Sequence, residues 1–330
     1  MPNQINRQIL LKTAPTGRLS IDAFRLIEGV MPAPGNGELL VRVRYLSVDS
    51  SNRMYVRQAG YRPKVNPGDV MGAFAVAEVV ESTSPGFSRG DFVFGDTGWQ
   101  DYAAVPAAAV LRLPRIEPLS HLVSVYGLTA GYTAHVGLLV FGRPVKGETV
   151  VVSGAAGAVG TVAGQIAKIK GCRVVGIAGS DDKCTLLTRE LGFDAAINYK
   201  TESVPDALKA AAPEGIDIYF DNVGGTTLEA CAARMNRCGR IVICGAISGY
   251  DSASDVPMSR PIVKNCSVTF FLVLDFFDQY ARGVAELQGW VKDGSLRVYE
   301  DVIDGLELAP DALVGLLAGR NVGKRMVKVS

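Results

Sequence analysis

From Glu148 to about Trp290 the chain alternates between short apolar runs and longer helix-like stretches. The apolar runs are "TVVVSG", "RVVGIAG", "AAINYK", "DIYFDNVG", "RIVICGA" and "SVTFFLVL". Between most of them lie "VGTVAGQIAKIKG", "DDKCTLLTRELG", "SVPDALKAAAPEG" and "TTLEACAARMNRCG", each closing on a glycine suited to a helix C-cap. Strands apolar along their whole length must be covered on both faces, and helices of about ten residues between them supply the cover. The pattern predicts an α/β fold with a doubly wound parallel sheet. The densest run, "VTFFLVLDFF", is broken by Asp275 and reads as a buried strand.

Residues 1–124 follow another rhythm. "GELLVRVRYLSV", "DVMGAFAVAEVVES" and "GDFVFGDTG" alternate, with turns at Pro34-Gly35, Pro67-Gly68, Pro85-Gly86 and Arg89-Gly90. Short alternating strands with such turns predict a β-rich barrel or sandwich. The last segment, "ELAPDALVGLLAGRNVGKRMVKVS", reads as one helix and one strand, which either extends the second domain or returns to the first.

Composition narrows the class of partner. At 330 residues the chain suits two domains, and 34 Lys and Arg nearly cancel 33 Asp and Glu. With no basic stripe or acidic tail, neither nucleic acid nor an anionic membrane is expected as a partner. No apolar run approaches the ~18 residues of a membrane span, and the N-terminal residues lack the pattern of a secretory signal. All six cysteines fall between Cys172 and Cys266 without metal or disulfide spacing, so reduced thiols in the cytoplasm are expected.

The stretch "TVVVSGAAGAVGTVAGQIA" sets a strand, then glycines, then a helix, the context of a dinucleotide-binding fingerprint. Gly157 and Gly160 take its second and third glycine positions, and Ala155 takes the first. Gly157 would admit a pyrophosphate to the backbone, while Gly160 would let helix pack on strand. The next strand lacks the acid that binds a ribose diol: "RVVGIAGSDDK" ends in Ala178-Gly179-Ser180. Ser180 reads as an N-cap, placing Asp181 and Asp182 in the first helical turn, where acids suit the dipole. Ser180 and Lys183 suit a 2′-phosphate, so NADP rather than NAD is the expected cofactor.

These segments, with "LGFDAAINYKT", "YFDNVGG", "GRIVICGAISGY", "GRNVGKRMVKV", "NPGDVMGAFAVAEVVES" and "GDFVFGDTGWQDYAAV", resemble the zinc-free medium-chain dehydrogenase/reductases. The branch is that of the prostaglandin reductases and related double-bond reductases. The resemblance implies a Rossmann domain over residues 125–299 and a GroES-like catalytic domain from residues 1–124 and 300–330. It also implies a homodimer paired across a two-fold axis through its Rossmann domains, whose sixth strand, "SVTFFLVL", would otherwise leave an apolar sheet edge exposed. Carried over, Gly157, Ala158, Val159 and Gly160 lie under the pyrophosphate, and Lys183 with Tyr199 flanks the 2′-phosphate. Asn222 ends the fourth strand near the cofactor. Cys244, Gly245, Ala246, Ile247, Ser248, Gly249 and Tyr250 wrap the nicotinamide side, with Phe271, Leu272 and Val273 beside the ring. Asn321 reaches the cofactor from the returning segment.

The chain also departs from the branch. Where relatives read "DPYMR" it has Asp49-Ser50-Ser51-Asn52-Arg53, so a pocket tyrosine is replaced by Ser51, and Val263 stands near where a second tyrosine is lost. Tyr45, Tyr55 and Tyr61 are nearby alternatives that read as structural, and no catalytic acid can be assigned. A zinc alcohol dehydrogenase needs Cys and His ligands in its first domain, yet no cysteine precedes Cys172 and the two histidines are His121 and His135. Without a metal, reduction of an activated C=C bond makes the smaller demand. Hydride goes to the β-carbon of an enone, and the charge on the carbonyl oxygen needs only hydrogen-bond donors. The expected activity is NADPH-dependent reduction of α,β-unsaturated ketones or aldehydes. A quinone reductase, or an NADPH-binding sensor with little turnover, is the competing reading.

Overall fold

The computed structural model describes residues 5–15, 17–60, 62–249 and 264–329. The chain divides into two compact units. One comprises Met1–Val123, Glu300–Asn321 and Arg325–Ser330; the other comprises Ser124–Tyr299 and Val322–Lys324.

The first unit carries β1 (Ile5–Leu11), β2 (Phe24–Val30), β3 (Glu38–Ser47), β4 (Phe74–Ser82), β5 (Phe92–Asp96), β6 (Tyr102–Pro106) and β7 (Leu111–Leu113). A short helix, α1 (Ser51–Tyr55), follows β3. β1 and β2 form an antiparallel pair, while β3 is the hub of the larger sheet, bonded to β4 and β6. Alternation along the strands sends one set of side chains into a core around Leu11, Val43, Leu46, Met71 and Trp99. A second set, with Leu39, Val41, Val79 and Val93, forms a separate cluster.

The second unit carries β8 (Thr149–Ser153), β9 (Arg173–Ala178), β10 (Ala195–Asn198), β11 (Ile216–Asp221), β12 (Met235–Ile243) and β13 (Ser267–Phe270). All pair in parallel, in the order β10-β9-β8-β11-β12-β13. Renumbered within the domain, this is the 3-2-1-4-5-6 order of a dinucleotide-binding sheet. Every residue of β8 is buried, as a central strand with both faces covered requires. After α2 (Gly131–Val136), the crossovers run through α3 (Ala158–Ile169), α4 (Asp181–Arg189), α5 (Val204–Ala211) and α6 (Gly225–Arg234).

Beyond β13, β14 (Glu300–Asp304), the helix Ala309–Leu317 and β15 (Lys324–Lys328) complete the chain. β15 pairs antiparallel with β3, Met326 opposite Ser47, so the last segment returns to the first sheet.

Two expectations need correcting. The stretch "TTLEACAARMNRCG" is helical only to Arg234, because β12 begins at Met235, which is buried and pairs with Ile216. The run "VTFFLVLDFF" is not a buried strand. Among the described residues, β13 pairs with β12 alone, stops at Phe270, and has no buried residue. Phe271 turns its ring onto Phe141, with centroids 5.3 Å apart, and a tight 3-10 stretch follows over Val273–Gln279. Apolar density alone could not distinguish an edge strand running into a packed turn from a central strand. No helix among the described residues is long and apolar enough to cross a membrane.

Candidate cofactor site

The sheet order reverses between β8 and β11, so their C-terminal ends open a crevice of the kind that holds dinucleotides. The loop from β8 enters it. Gly154 bends the chain at φ 57°, a left-handed conformation that costs a side chain energy, and Gly157 N–H donates to Gly154 O at 2.9 Å. The turn glycine is therefore Gly154. Ala155, aligned with the first glycine of the fingerprint, is fully buried behind it and donates to Ile177 O.

Gly157 is the N-cap of α3, and Ala158 and Val159 form its half-buried first turn. A Cβ at Gly157 would meet only Gly154 O, at 3.2 Å, so a side chain there would fill the open cradle. A Cβ on Gly160 would lie 2.3 Å from Gly154 O and 2.7 Å from Ala155 Cα, so helix and loop touch backbone to backbone. The positive end of α3 thus faces the loop, suited to a phosphate anion. Gly323 runs beside the cradle, bridging Gly157 and donating its N–H to Ala156 O at 2.8 Å. Asn321, two residues earlier, is buried.

The neighbouring strand end is organised by a carboxylate that sequence reasoning missed. Asp221 is fully buried, and its Oδ1 accepts from Ser153 Oγ (2.8 Å), Tyr219 OH (2.7 Å) and the N–H groups of Val223 (2.9 Å) and Gly224 (3.0 Å). Asn222 closes the circuit: its N–H donates to Ser153 Oγ and its Nδ2 to Ser153 O. Asp221 O then accepts from the N–H groups of Cys244 and Gly245, which fixes the loop after β12. Ser248 holds the same turn, donating from its N–H and its hydroxyl to Val223 O. "FDNVGG" carried this signal one residue before the asparagine, where a buried acid ends the strand.

Burial pushes the Cys244 thiol up to about 12, and the negative Asp221 adds to the effect. Cys244 is a strand-end residue, not a nucleophile. Ala246, Ile247 and Gly249 lie on the short turn around Ser248, with Ile247 exposed. Tyr250 lies outside the described residues, as do Tyr61 and Val263.

At the end of β9, Ser180 caps α4, its Oγ accepting the Lys183 N–H at 3.4 Å. Tyr199 follows β10, half exposed, and its ring stands 3.0 Å from where a Gly179 Cβ would be. Gly179, Ser180, Lys183 and Tyr199 therefore share one rim of the sheet. Phe271 and Leu272 are half-buried beyond β13, and Val273 is buried. Phe271 packs its ring against Phe141 and Gly137, so its side chain is already engaged.

In the first unit, Ser51 begins α1 and is half-buried. Asn52 donates to Gly72 O at 2.9 Å, and buried Arg53 donates to Gly17 O. Tyr55 is buried with the Arg62 guanidinium 5.1 Å from its ring centroid, a structural placement; Tyr45 is a half-buried position of β3. Among the described residues, no group of three or more His, Cys, Asp or Glu side chains could hold a metal ion.

A parallel sheet with this strand order, a glycine loop on α3 and a returning β15 define a medium-chain dehydrogenase/reductase. Residues 7–113 match the family model described as the N-terminal domain of oxidoreductase, and residues 158–288 match that described as zinc-binding dehydrogenase. The chain is 40% identical to a 2-alkenal reductase (NADP(+)-dependent) of Nicotiana tabacum, over 98% of each protein. It is 37% identical to the NADPH-dependent curcumin reductase of Escherichia coli, over 99% of this chain and 98% of that one. The solved structure of CurA in complex with NADPH from Vibrio vulnificus superposes with a TM-score of 0.91 at 37% identity, covering 98% of this chain and 99% of that one. The chain belongs to the double-bond reductase branch of the medium-chain dehydrogenase/reductase family.

Proposed function

We propose that the protein is an NADPH-dependent reductase of the C=C bond in α,β-unsaturated ketones and aldehydes, working without zinc. One observation carries the reading. Where an acid would take ribose hydroxyls, the rim at the ends of β9 and β10 offers Ser180, Lys183 and Tyr199, in a chain whose whole length matches NADP-dependent alkenal and NADPH-dependent curcumin reductases.

The nicotinamide cofactor, when bound, supplies hydride. The chain's own part is placement and charge. Gly157 to Gly160 bring the positive end of α3 against the pyrophosphate, and Lys183 with Tyr199 takes the 2′-phosphate. Asn222 and the loop Cys244 to Gly249, held by Asp221, frame the nicotinamide side. Phe271 to Val273 close it through their backbone, since the Phe271 ring is packed elsewhere. Asn321 joins from the segment beside Gly323. The enolate oxygen formed on an enone needs hydrogen-bond donors and no metal. Lys183→Ala tests the cofactor assignment: it should weaken NADPH about ten- to a hundredfold and leave NADH nearly unchanged. Equal losses would remove it.

The same reading includes a homodimer joined across β13. That strand is a sheet edge with Phe270 59% exposed, and open apolar edges are normally paired or covered. Light scattering should report twice the 35.0 kDa chain mass; a single-chain mass at micromolar concentration would refute the dimer.

A further inference from the structure

Asp181 opens the first turn of α4, two residues before Lys183. A carboxylate there can act in two ways against an NADPH preference. It can accept from ribose hydroxyls, as the acid of NAD-binding sheets does, or it can repel a 2′-phosphate on the same rim. It is not left to do either. Asn198, buried at the end of β10 and level with Ala178 across the strand pair, donates from Nδ2 to Asp181 Oδ1 at 2.7 Å.

The asparagine is itself fixed in one orientation. Its Oδ1 accepts the Lys200 N–H at 3.1 Å, so the amide must turn its NH2 group to Asp181. Its own N–H donates to Glu202 Oε1 at 2.7 Å, which anchors the strand end. Tyr199, the next residue, lays its ring over Gly179. The β10 end thus presents the tyrosine on one side and draws the acid back on the other.

Resting on the NADPH reading above, we propose that Asn198 is a positioning residue for cofactor choice: it holds Asp181 toward β10, so that the rim offers Lys183 and Tyr199 to a 2′-phosphate. Freed from Asn198, Asp181 faces the phosphate and the ribose, weakening NADPH and favouring NADH.

The test is a double-mutant cycle on the full chain, with dissociation constants for NADPH and NADH from fluorescence titration. Asn198→Ala should lower the NADPH preference over NADH about two- to fivefold, the range for a part-exposed charge. Asp181→Ala alone should leave that preference within about twofold, and the double variant should regain it. Asn198→Asp keeps the acceptor for Lys200 but sets a second carboxylate against Asp181. It should lower the preference at least as far, again with recovery on Asp181→Ala, and it serves if Asn198→Ala folds poorly. A merely structural asparagine would weaken both cofactors alike, and Asp181→Ala would not restore the ratio; that result overturns the proposal. Lys183→Ala run alongside separates the two levels. If it fails to discriminate the cofactors, the NADPH reading falls and this inference with it; if it discriminates while the cycle shows no coupling, only the role of Asn198 falls.

Discussion

Ser153 Oγ donates to Asp221 Oδ1 at 2.8 Å while accepting the Asn222 N–H at 2.9 Å. One hydroxyl thereby ties the ends of the first and fourth Rossmann strands at the point where the sheet order reverses. Each bond is short, buried and across strands far apart in sequence, so the crevice walls are fixed without a ligand.

Removing the acceptor should be expensive. Asp221→Ala leaves Ser153, Tyr219, Val223 and Gly224 donors buried without their partner, each an unsatisfied polar group. At about 1–3 kcal/mol for one such group, a loss of about 3 kcal/mol or more in urea unfolding is expected. Asp221→Asn keeps the accepting oxygen and should recover over half of it. Equal losses for Ala and Asn would show that packing, and not the hydrogen-bond hub, matters at Asp221.

Gly160 makes a second, steric prediction. Its missing Cβ would collide with the backbone of Gly154 and Ala155, and backbone cannot rotate away as a side chain can. Gly160→Ala should therefore cost about 1–3 kcal/mol in thermal unfolding and reduce NADPH affinity, because relief of the clash moves the loop from α3. Gly289→Ala, in the exposed interior of the helix Tyr280–Lys292 where a Cβ meets nothing within 4 Å, is the control: it should leave NADPH affinity unchanged and, as a helical Gly→Ala change, stabilise by about 0.5–1 kcal/mol. An unaltered Gly160→Ala would mean that the loop–helix contact is slack.

What the sequence made legible was set by local chemistry. The three valines of β8 and the glycine after it marked the sheet and its cradle, and Ser180 was readable as a cap from the residues that follow. Gly154 was hidden because the fingerprint fixes spacing, whereas the turn depends on φ at one residue. Asp221 and Asn198 were hidden for a related reason. The cross-strand partners that define their roles, Ser153 and Asp181, lie 68 and 17 residues away, a separation that only the strand order closes. β13 was misread because exposure at a sheet edge leaves no trace in a run of phenylalanines.

The acid limit of stability should involve Glu148. Burial alone would raise its carboxyl, but hydrogen bonds from Arg240 and the Val145 N–H, with the Arg240 charge, outweigh it and leave the group lowered. Arg240 grips both oxygens, at 2.8 and 2.6 Å. A group lowered in the folded state contributes its stability above the ordinary value of 4.5 and loses it as pH falls through the folded value. Glu148→Gln should thus cost on the order of 1 kcal/mol at neutral pH, shrinking toward nothing as the medium is acidified. A deficit independent of pH would assign the loss to something other than the charge pair.

Hydride is expected to go to carbon at the double bond. The direct measurement is turnover of a simple enone with NADPH deuterated at C4, followed by product analysis. A saturated ketone with deuterium at the β-carbon alone, the carbonyl intact, and a rate indifferent to chelators is the expected result. An allylic alcohol as the main product, or activity lost to a chelator and restored by zinc, would contradict it. Turnover of a quinone with every enone ignored would move the function to quinone reduction and leave the cofactor site as described.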